Sequence, residues 1–533
     1  MTAAPIPAQP APAQPPAAQP APAQSIPAQS IPARLAAACS EIRLAGQADA
    51  VSGCQPSYVA APASTAEASA LLRTAAELGL AVLPRGAGTR LHWGTPPQRC
   101  DLVVDTRRMN QVLEHAAGDL VVRVQAGTGL RELGAVLAAA GQRLALDPPA
   151  SAGPGGDGPA SAGPGGDGDS GEDGRAAGGT VGGMIATGVA GPLRLHYGAP
   201  RDLLIGLTVI RADGAVTKSG GKVVKNVAGY DLGKLYAGSY GTLGLITEAV
   251  FRLHPVPKAV AYLTVDCADA ATAAAAIAAA ADSPLAPSAA ELEWPDRGAP
   301  VSVAVLLEGD TGGVAERAGR LRALLGGAQT GAAVSTEPPS WWGVAAGEDR
   351  GETSIGTDPA DRGTPSPSRS GPSGSGAAAA GEDGTVVRVA FWAGDLAAVL
   401  TGIGAAAATA GLDPAVRGSA AAGVLHVWLP GSAAAGAVAG FVTALRTALS
   451  RTAVTTAAAG GGRPAAAAAG TGSGTGSGGP PPRGSAVVLH APAAVRAAVD
   501  IWGPVPSLTL MQAVKDQFDP GHRMAPGRFA GGI

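Results

Sequence analysis

The sequence predicts an α+β protein of two modules, interrupted by a low-complexity tail and inserts. Three observations lead there. Short apolar strands alternate with helical stretches along most of the chain. Pro255 and Pro257 divide a first block of such elements from a second. Four segments lack the apolar content that offsets the entropy of chain ordering, so they are expected to be disordered. These are the Pro/Ala/Gln tail 1–33, the insert 151–175 with its tandem SAGPGGDG, the Ser/Gly/Pro-rich insert 346–385 and the linker 456–485. The remainder divides into a first module over 34–255, a second over 256–455 and a closing segment over 486–533.

The elements follow in order. Ser64 and Glu67 form a capping box at the start of a helix that reaches Leu78 and stops at Gly79. A short buried strand at 81–83 ends at Pro84, and strands follow at 102–105 and 120–126. Thr128 is placed to cap a helix carrying Leu130, Leu133 and Leu137 on one face and closed by Gly141. A Gly-rich turn at 178–183 precedes a strand at 203–210, whose hairpin partner at 215–217 lies across Asp213-Gly214. A strand at 244–253 closes the block at Pro255. The second module reads as strands at 260–266, 301–307, 386–392 and 424–429 with helices at 268–281, 313–325, 395–410 and 433–449. A strand at 486–490 and a helix near 507–517 end the chain.

Bulk composition excludes several functions. The net charge of −3 provides no basic excess for a phosphate backbone, so nucleic-acid binding is not expected. Cys39, Cys54, Cys100 and Cys267 contain no C-x-x-C pair, which argues against a zinc ribbon or a cysteine-held iron–sulfur cluster. Sparse cysteines fit a reducing, cytoplasmic setting. No uninterrupted apolar run reaches the roughly 18 residues that span a bilayer, and the N-terminus lacks the basic and apolar regions of a signal peptide. His254, His426, His490 and His522 stand apart in sequence, with no metal-ligand spacing.

Five stretches carry chemistry. Pro84-Arg85-Gly86-Ala87-Gly88-Thr89-Arg90 follows a strand, and its glycines let successive backbone N–H groups approach a phosphate. Thr89 adds a hydroxyl and the arginines add charge; taken by itself the pattern is weak, and a plain turn is its commoner explanation. It is neither a Walker loop nor a Rossmann fingerprint. The second is Gly178-Gly179-Thr180-Val181-Gly182-Gly183, running on to Thr187. The third is His196-Tyr197-Gly198-Ala199-Pro200-Arg201-Asp202. The fourth spans Gly220 to Leu232 and contains Lys225 and Tyr230. The fifth is Gly238-Ser239-Tyr240-Gly241-Thr242-Leu243-Gly244-Leu245-Ile246.

In this order and spacing the five stretches resemble the FAD-binding domain of the vanillyl-alcohol-oxidase type, also called the PCMH type. K-N-V-A-G-Y-D-L at 225–232 is most similar to the glycolate oxidase and D-lactate dehydrogenase branch. So is the ending Phe518-Asp519-Pro520 with Pro526-Gly527-Arg528, although Ala525 stands where that branch carries Asn. The resemblance is strong over 50–255, moderate over 490–530 and confined to layout over 256–455. It implies FAD between two α+β subdomains, with an α+β cap formed by 256–455. The pyrophosphate would lie on Arg85, Gly86, Ala87, Gly88 and Thr89. The flavin would lie against Thr180, Gly182, Gly183 and Thr187 with Tyr197 near it, and the adenine half near Gly241, Gly244 and Ile246. Many relatives attach flavin through a His at the position of Thr89; a hydroxyl forms no such link, so non-covalent FAD is expected. His92 and His196, the nearby imidazoles, are expected at the surface or behind the site.

Oxidation of a 2-hydroxy acid needs a cation for the carboxylate, a proton acceptor and flavin as hydride acceptor. Lys225, Tyr230 and Arg201 are candidates by type and position; ordering a loop over the flavin is the alternative for Lys225 and Tyr230. Self-sufficient members of the branch carry H-x-G-D-G-N-x-H in the cap, and this chain has none. The resemblance therefore implies a subunit working with a catalytic flavoprotein and an iron–sulfur protein, with any membrane association supplied by those partners. A stand-alone FAD-dependent oxidoreductase and a non-catalytic FAD-binding scaffold are the two other readings.

Overall fold

The computed structural model describes residues 30–149, 179–221, 230–326, 331–344, 384–459 and 484–533. Most of the tail, inserts and linker expected to be disordered lies outside these residues. Where it does not, the chain is ordered: the helix Ser30–Ala38 begins inside the predicted tail and the strand Gly484–His490 inside the predicted linker. Leu35 on that helix is fully buried against Ala68, Leu71 and Leu72, which gives the N-terminal turn a place in the core.

Three sheets organise the rest. A four-stranded sheet runs Ile42–Leu44, Tyr58–Ala60, Leu102–Asp105 and Val82–Arg85, with the last three parallel. The helix Thr65–Glu77 covers it through Ala68, Leu71, Leu72 and Ala75. That spacing of three and four residues puts one apolar stripe on the sheet, each leucine contributing roughly 1.5–3 kcal/mol by burial. Ser64 caps the helix by accepting from Glu67 N at 3.2 Å, while the Glu67 carboxylate reaches back past the cap to Ala63 N at 2.7 Å. An antiparallel five-stranded sheet runs Val112–Ala116, Val121–Gln125, Leu245–Arg252, Leu204–Ile210 and Val216–Gly220. Gly214, at a φ of 82°, makes the expected hairpin turn.

The third sheet has eight strands drawn from Ala259–Cys267 through Gly484–His490, all antiparallel. Two of its strands, Ala289–Trp294 and Ala415–Gly418, join its halves and were absent from the sequence reading. Each is short and mixes charged or small residues with few β-branched ones, so local propensity did not distinguish it from loop. The helices Ala270–Ala281, Thr311–Gly326, Leu396–Ala410 and Ala435–Ala459 share one face of this sheet. Over 393–410 the chain is apolar enough across 18 residues to pass for a membrane span, which counting uninterrupted runs overlooked. In the fold Leu396, Val399, Leu400 and Ile403 are buried in the module's own core.

Two local expectations differ. Thr128 does not cap the helix Leu130–Ala138; Gly129 holds that position, and Thr128 Oγ1 is buried without a hydrogen bond. Pro255 does not end the pairing, because His254–Pro255 forms a small ladder with Gln142–Arg143. Proline suits that place, since an edge position needs no second donor. All four cysteines are free thiols.

The closing segment returns to the first module. Met524 bridges to Val82 in parallel; Val82 N donates to Arg523 O at 2.7 Å and Ala525 N to Val82 O at 2.8 Å. The tail thereby extends the four-stranded sheet beside its edge strand Val82–Arg85. Ala525 takes a left-handed φ of 43°, a conformation the Asn of the resembling branch adopts more readily. The helix Leu508–Phe518 anchors the tail through Lys515, which is fully buried. Its Nζ donates to Thr242 O at 2.7 Å, Asp519 Oδ2 at 2.7 Å and Met524 O at 2.9 Å. Removing one partner of a buried pair leaves a charge uncompensated. We expect Lys515→Met to cost about 3–5 kcal/mol in denaturant unfolding. The double variant Lys515→Met/Asp519→Leu should lose distinctly less.

Candidate functional site

A cleft partly open to solvent lies between the two small sheets. One wall is the end of the strand Val82–Arg85 and the loop after it. The other is the helix Val181–Thr187, with Tyr240, Gly241 and the strand start at Gly244–Ile246 closing the far side. Every residue expected to hold cofactor lines this cleft except Tyr197. Thr106 and Ala126 also line it and had no signal in the sequence. Arg90, Tyr240 and Arg528 line it as well, and stood inside the quoted motifs without being named as cofactor contacts.

The glycines do a different job from the one their pattern suggested. A Cβ on Gly86 would lie 2.2 Å from Thr180 Oγ1, and one on Gly182 would lie 2.9 Å from Ala126 Cβ. Gly182 N donates to Ala126 O at 2.7 Å. These residues bring protein to protein: they let the two walls touch at the base of the cleft. Residues 181–187 are helical rather than a turn. Thr180 caps that helix, accepting from Gly183 N at 3.3 Å.

Charge is distributed differently too. Arg85 lines the cleft, but its guanidinium donates to Asp49 and Asp105, each at 3.0 Å. Hydrogen bonds from Arg43 hold the Asp49 carboxyl far below its ordinary range, so it stays charged to pair with Arg85. Arg85 therefore offers backbone to a ligand and its charge to the scaffold. Arg528 donates to Leu91 O at 2.8 Å and Trp93 O at 2.7 Å while lining the cleft. Burial brings its pKa down to about 10, so it remains cationic at neutral pH. Backbone N–H groups, small residues, Thr hydroxyls and the buried arginines Arg90 and Arg528 along the cleft fit a dinucleotide with a pyrophosphate.

The other expected site residues lie elsewhere. Tyr197 sits at the junction of the modules. Its hydroxyl accepts from Arg143 Nη2 at 2.9 Å and donates to Glu308 Oε2 at 3.1 Å. Arg143 also pairs with Glu308 at 2.7 Å, so this trio ties the first module to the large sheet. Arg201 is exposed on the short helix Pro200–Leu203, and Tyr230 is 92% exposed. Neither lines the cleft. Both follow Gly-containing loops whose direction local sequence does not set. Lys225 lies outside the described residues. The histidines that stand apart in sequence do not stand apart in space. His490 meets His92 edge to face with centroids 4.7 Å apart, and His254 meets Tyr197 at 4.7 Å.

Sequence reading missed a second constellation beside the cleft. Across the large sheet, Arg388 faces His426, His426 faces Arg417, and Arg417 faces Glu293 in register. Side chains directly opposite lie about 5 Å apart on one face. Because Val387, Val389, Leu425 and Val427 fill the helix-covered face, this row occupies the opposite one. Glu291, two residues before Glu293, shares that face and is 5% exposed. From the first module come Arg194 and Asp147, the latter accepting from Leu193 N at 3.1 Å. Burial raises Glu291 to about 7 and Asp147 to about 8, the Glu291 charge adding to the Asp147 shift. Burial lowers His426 to about 3, with Arg194 and Arg388 adding to it, so its imidazole is neutral.

Comparison with known proteins accords with this geometry. Residues 56–176 match the family described as FAD binding domain. The Bacillus subtilis protein described as glycolate oxidase subunit GlcD is 35% identical over 203 residues, covering 38% of this chain and 38% of that protein. The Escherichia coli glycolate oxidase subunit GlcE is 34% identical over 175 residues, covering 33% and 43%. A D-lactate dehydrogenase of Archaeoglobus fulgidus is 34% identical over 207 residues, covering 39% and 41%. Each match therefore spans less than half the length of the relative concerned. Among solved structures, p-cresol methylhydroxylase with substrate bound superposes with a TM-score of 0.63 at 14% identity, covering 94% of this chain and 96% of that one. The 4-ethylphenol oxidase of Gulosibacter chungangensis gives 0.59 at 15% identity, covering 95% and 98%. At such identities the likeness is one of fold.

Two outcomes follow from this geometry. Gly86→Ala should drive the walls apart and cut the flavin content of purified protein at least tenfold, read from visible absorbance. Adding Thr180→Ala removes the atom the new methyl meets and should restore part of it. Glu291 is raised above its ordinary value of 4.5, so the stability it contributes is complete below pH 4.5 and lost as pH rises through 7. Glu291→Gln removes that loss. Between pH 4.5 and 8 the variant should gain on the parent by about 2–3 kcal/mol in denaturant unfolding.

Proposed function

We propose that this chain, which carries an FAD-binding domain of the PCMH type, is the FAD-binding subunit of a heteromeric glycolate oxidase. On this reading it takes part in oxidising a 2-hydroxy acid, glycolate to glyoxylate. The observation that carries the proposal is the single cleft formed by all three glycine runs together with the tail residue Arg528. The named relatives suggest the substrate class: glycolate oxidase subunits and a D-lactate dehydrogenase each match a third or more of the chain. A catalytic flavoprotein and an iron–sulfur protein are the proposed partners.

FAD bound here supplies a two-electron acceptor for the hydride of an alcohol carbon. The chain's own contribution is to bind and orient it. Backbone of 86–89 and the Thr89 side chain would hold the pyrophosphate, with Arg90 and Arg528 as buried cations in the same cleft. Thr180, Gly183 and Thr187 would line the flavin, and Gly241, Gly244 and Ile246 the adenine half. Thr89 ends the loop with a hydroxyl, and neither His92 nor His196 lines the cleft. Both facts support non-covalent attachment. Acid precipitation tests this: the yellow colour should pass wholly into the supernatant, and colour kept in the pellet would refute it.

A stand-alone D-2-hydroxy-acid oxidoreductase is the second reading. It is favoured by the row of charged and imidazole side chains on the open face of the large sheet. Dye reduction by the purified chain with glycolate or D-lactate separates the two. The subunit reading expects little turnover until partners are added, and substantial solo turnover would sink it.

A further inference from the structure

Two of the four free thiols share one small core. Cys54 and Cys100 belong to the cluster of Val51, Val59, Leu83 and Val103, which Leu91 also joins. Leu83 and Leu91 line the cleft as well, so this cluster backs the wall that carries the loop 86–89. Cys39 and Cys267 lie in other cores, the latter in the large-sheet module.

The two thiols differ in setting. Cys100 is 4% exposed and stands just before the strand Leu102–Asp105. Its neighbour Asp101 is fixed to Ala81 twice: Ala81 N donates to Asp101 Oδ2 at 2.7 Å, and Asp101 N to Ala81 O at 2.9 Å. Cys54 is half-buried and closes a two-residue hairpin. Val51 N donates to Cys54 O at 2.9 Å, and Cys54 N to Val51 O at 3.0 Å. The turn residues Ser52 and Gly53 take φ of 49° and 87°, the left-handed pair of a type I′ turn. A Cβ on Gly53 would meet nothing within 4 Å, so the turn has open space beside it. Burial pushes the Cys100 thiol up to about 12, and Cys54 adds more to that shift than the adjoining Asp101 does. An electrostatic effect of that rank places the two sulfurs close together.

We infer that Cys54 and Cys100 form a redox-modification site, which peroxide converts to a disulfide and a thiol reductant reopens. The half-exposed Cys54 meets peroxide first. Its sulfur takes one peroxide oxygen to become a sulfenic acid, and water leaves. The Cys100 sulfur then attacks the Cys54 sulfur and the S–O bond breaks. The departing hydroxide takes the Cys100 proton and leaves as a second water. Two thiols have given up two electrons and two protons, and one peroxide has become two waters. Cys100, buried and protonated, does not react with peroxide by itself.

The hairpin is tied to the cleft. Asp49, two residues before Val51, accepts from Arg85 Nη1 at 3.0 Å. Drawing the hairpin onto Cys100 acts on that pair and presses on Leu83 and Leu91. Both changes reach the loop that carries the ligand-facing amides, so oxidation loosens the cofactor site. This consequence rests on the reading of the cleft as the FAD site; the disulfide does not.

The full chain tests this after treatment with hydrogen peroxide, denaturation, alkylation and peptide mapping. One linked peptide pair should join Cys54 to Cys100, with Cys39 and Cys267 alkylated. The flavin dissociation constant should rise about fivefold or more on oxidation and return with dithiothreitol. Cys54→Ser should remove both effects, as should Cys100→Ala. If Cys100→Ala does not fold, Cys54→Ser serves alone, because it changes a half-exposed turn. Absence of the linked pair, or linkage among other cysteines, would overturn the site. A Cys54–Cys100 disulfide with unchanged flavin affinity would overturn its coupling to the cleft. A chain that forms the disulfide but takes up no flavin in either state would defeat the proposed function and leave the thiol site standing.

Discussion

The return of the C-terminal tail to the first module is the constraint on which the other features depend. Lys515 is fully buried, so its charge persists only because three oxygens surround it. Those oxygens come from separate places: the loop after Tyr240, the end of the tail helix and the tail strand. One ammonium thus fixes the glycine-rich loop at 238–244 relative to residues 523–528. Arg528 then reaches the carbonyls of Leu91 and Trp93, behind the first phosphate-type loop. The cleft keeps its shape because sequence-distant segments share these buried charges. Burial lowers the Lys515 pKa and Asp519 opposes that shift, as expected where one carboxylate must offset the loss of water.

The same logic separates holding from binding within the cleft. Arg85 stands in the motif that suggests phosphate recognition, yet its charge is committed to Asp49 and Asp105. That pairing keeps the loop rigid and leaves backbone as the ligand-facing surface. Gly86 and Gly182 likewise serve wall-to-wall contact. A dinucleotide site built this way depends on preorganised amides more than on side-chain charge, which suits a chain whose overall charge is close to neutral.

The junction of the modules determines where chemistry could occur. The Arg143, Tyr197 and Glu308 trio sets the large sheet against the first module at one end. Ala145, Leu193, Ala289 and Leu306 pack beside it. The polar row begins where this apolar contact stops. One sheet face thus carries both the apolar junction and the polar row.

Sequence alone determined the α+β class, the helix stripes and the glycine runs, because these are set by spacing within a few residues. Leu71 and Leu72 announce a buried face whatever lies opposite. Glycines at 86–88, 182–183 and 241–244 announce close approach, though not of what to what. Tertiary structure decided the rest, because those outcomes depend on partners far away in the chain. Arg388, His426, Arg417 and Glu293 line up only through antiparallel register among strands, two of which local propensity did not reveal. Tyr197 looked like a flavin contact and became a hinge-pin between modules when Glu308 arrived opposite it. Arg201 and Tyr230 looked like catalysts, and loop direction left them exposed. A motif fixes backbone shape over its own length; register and chain return decide which side chains share a cavity.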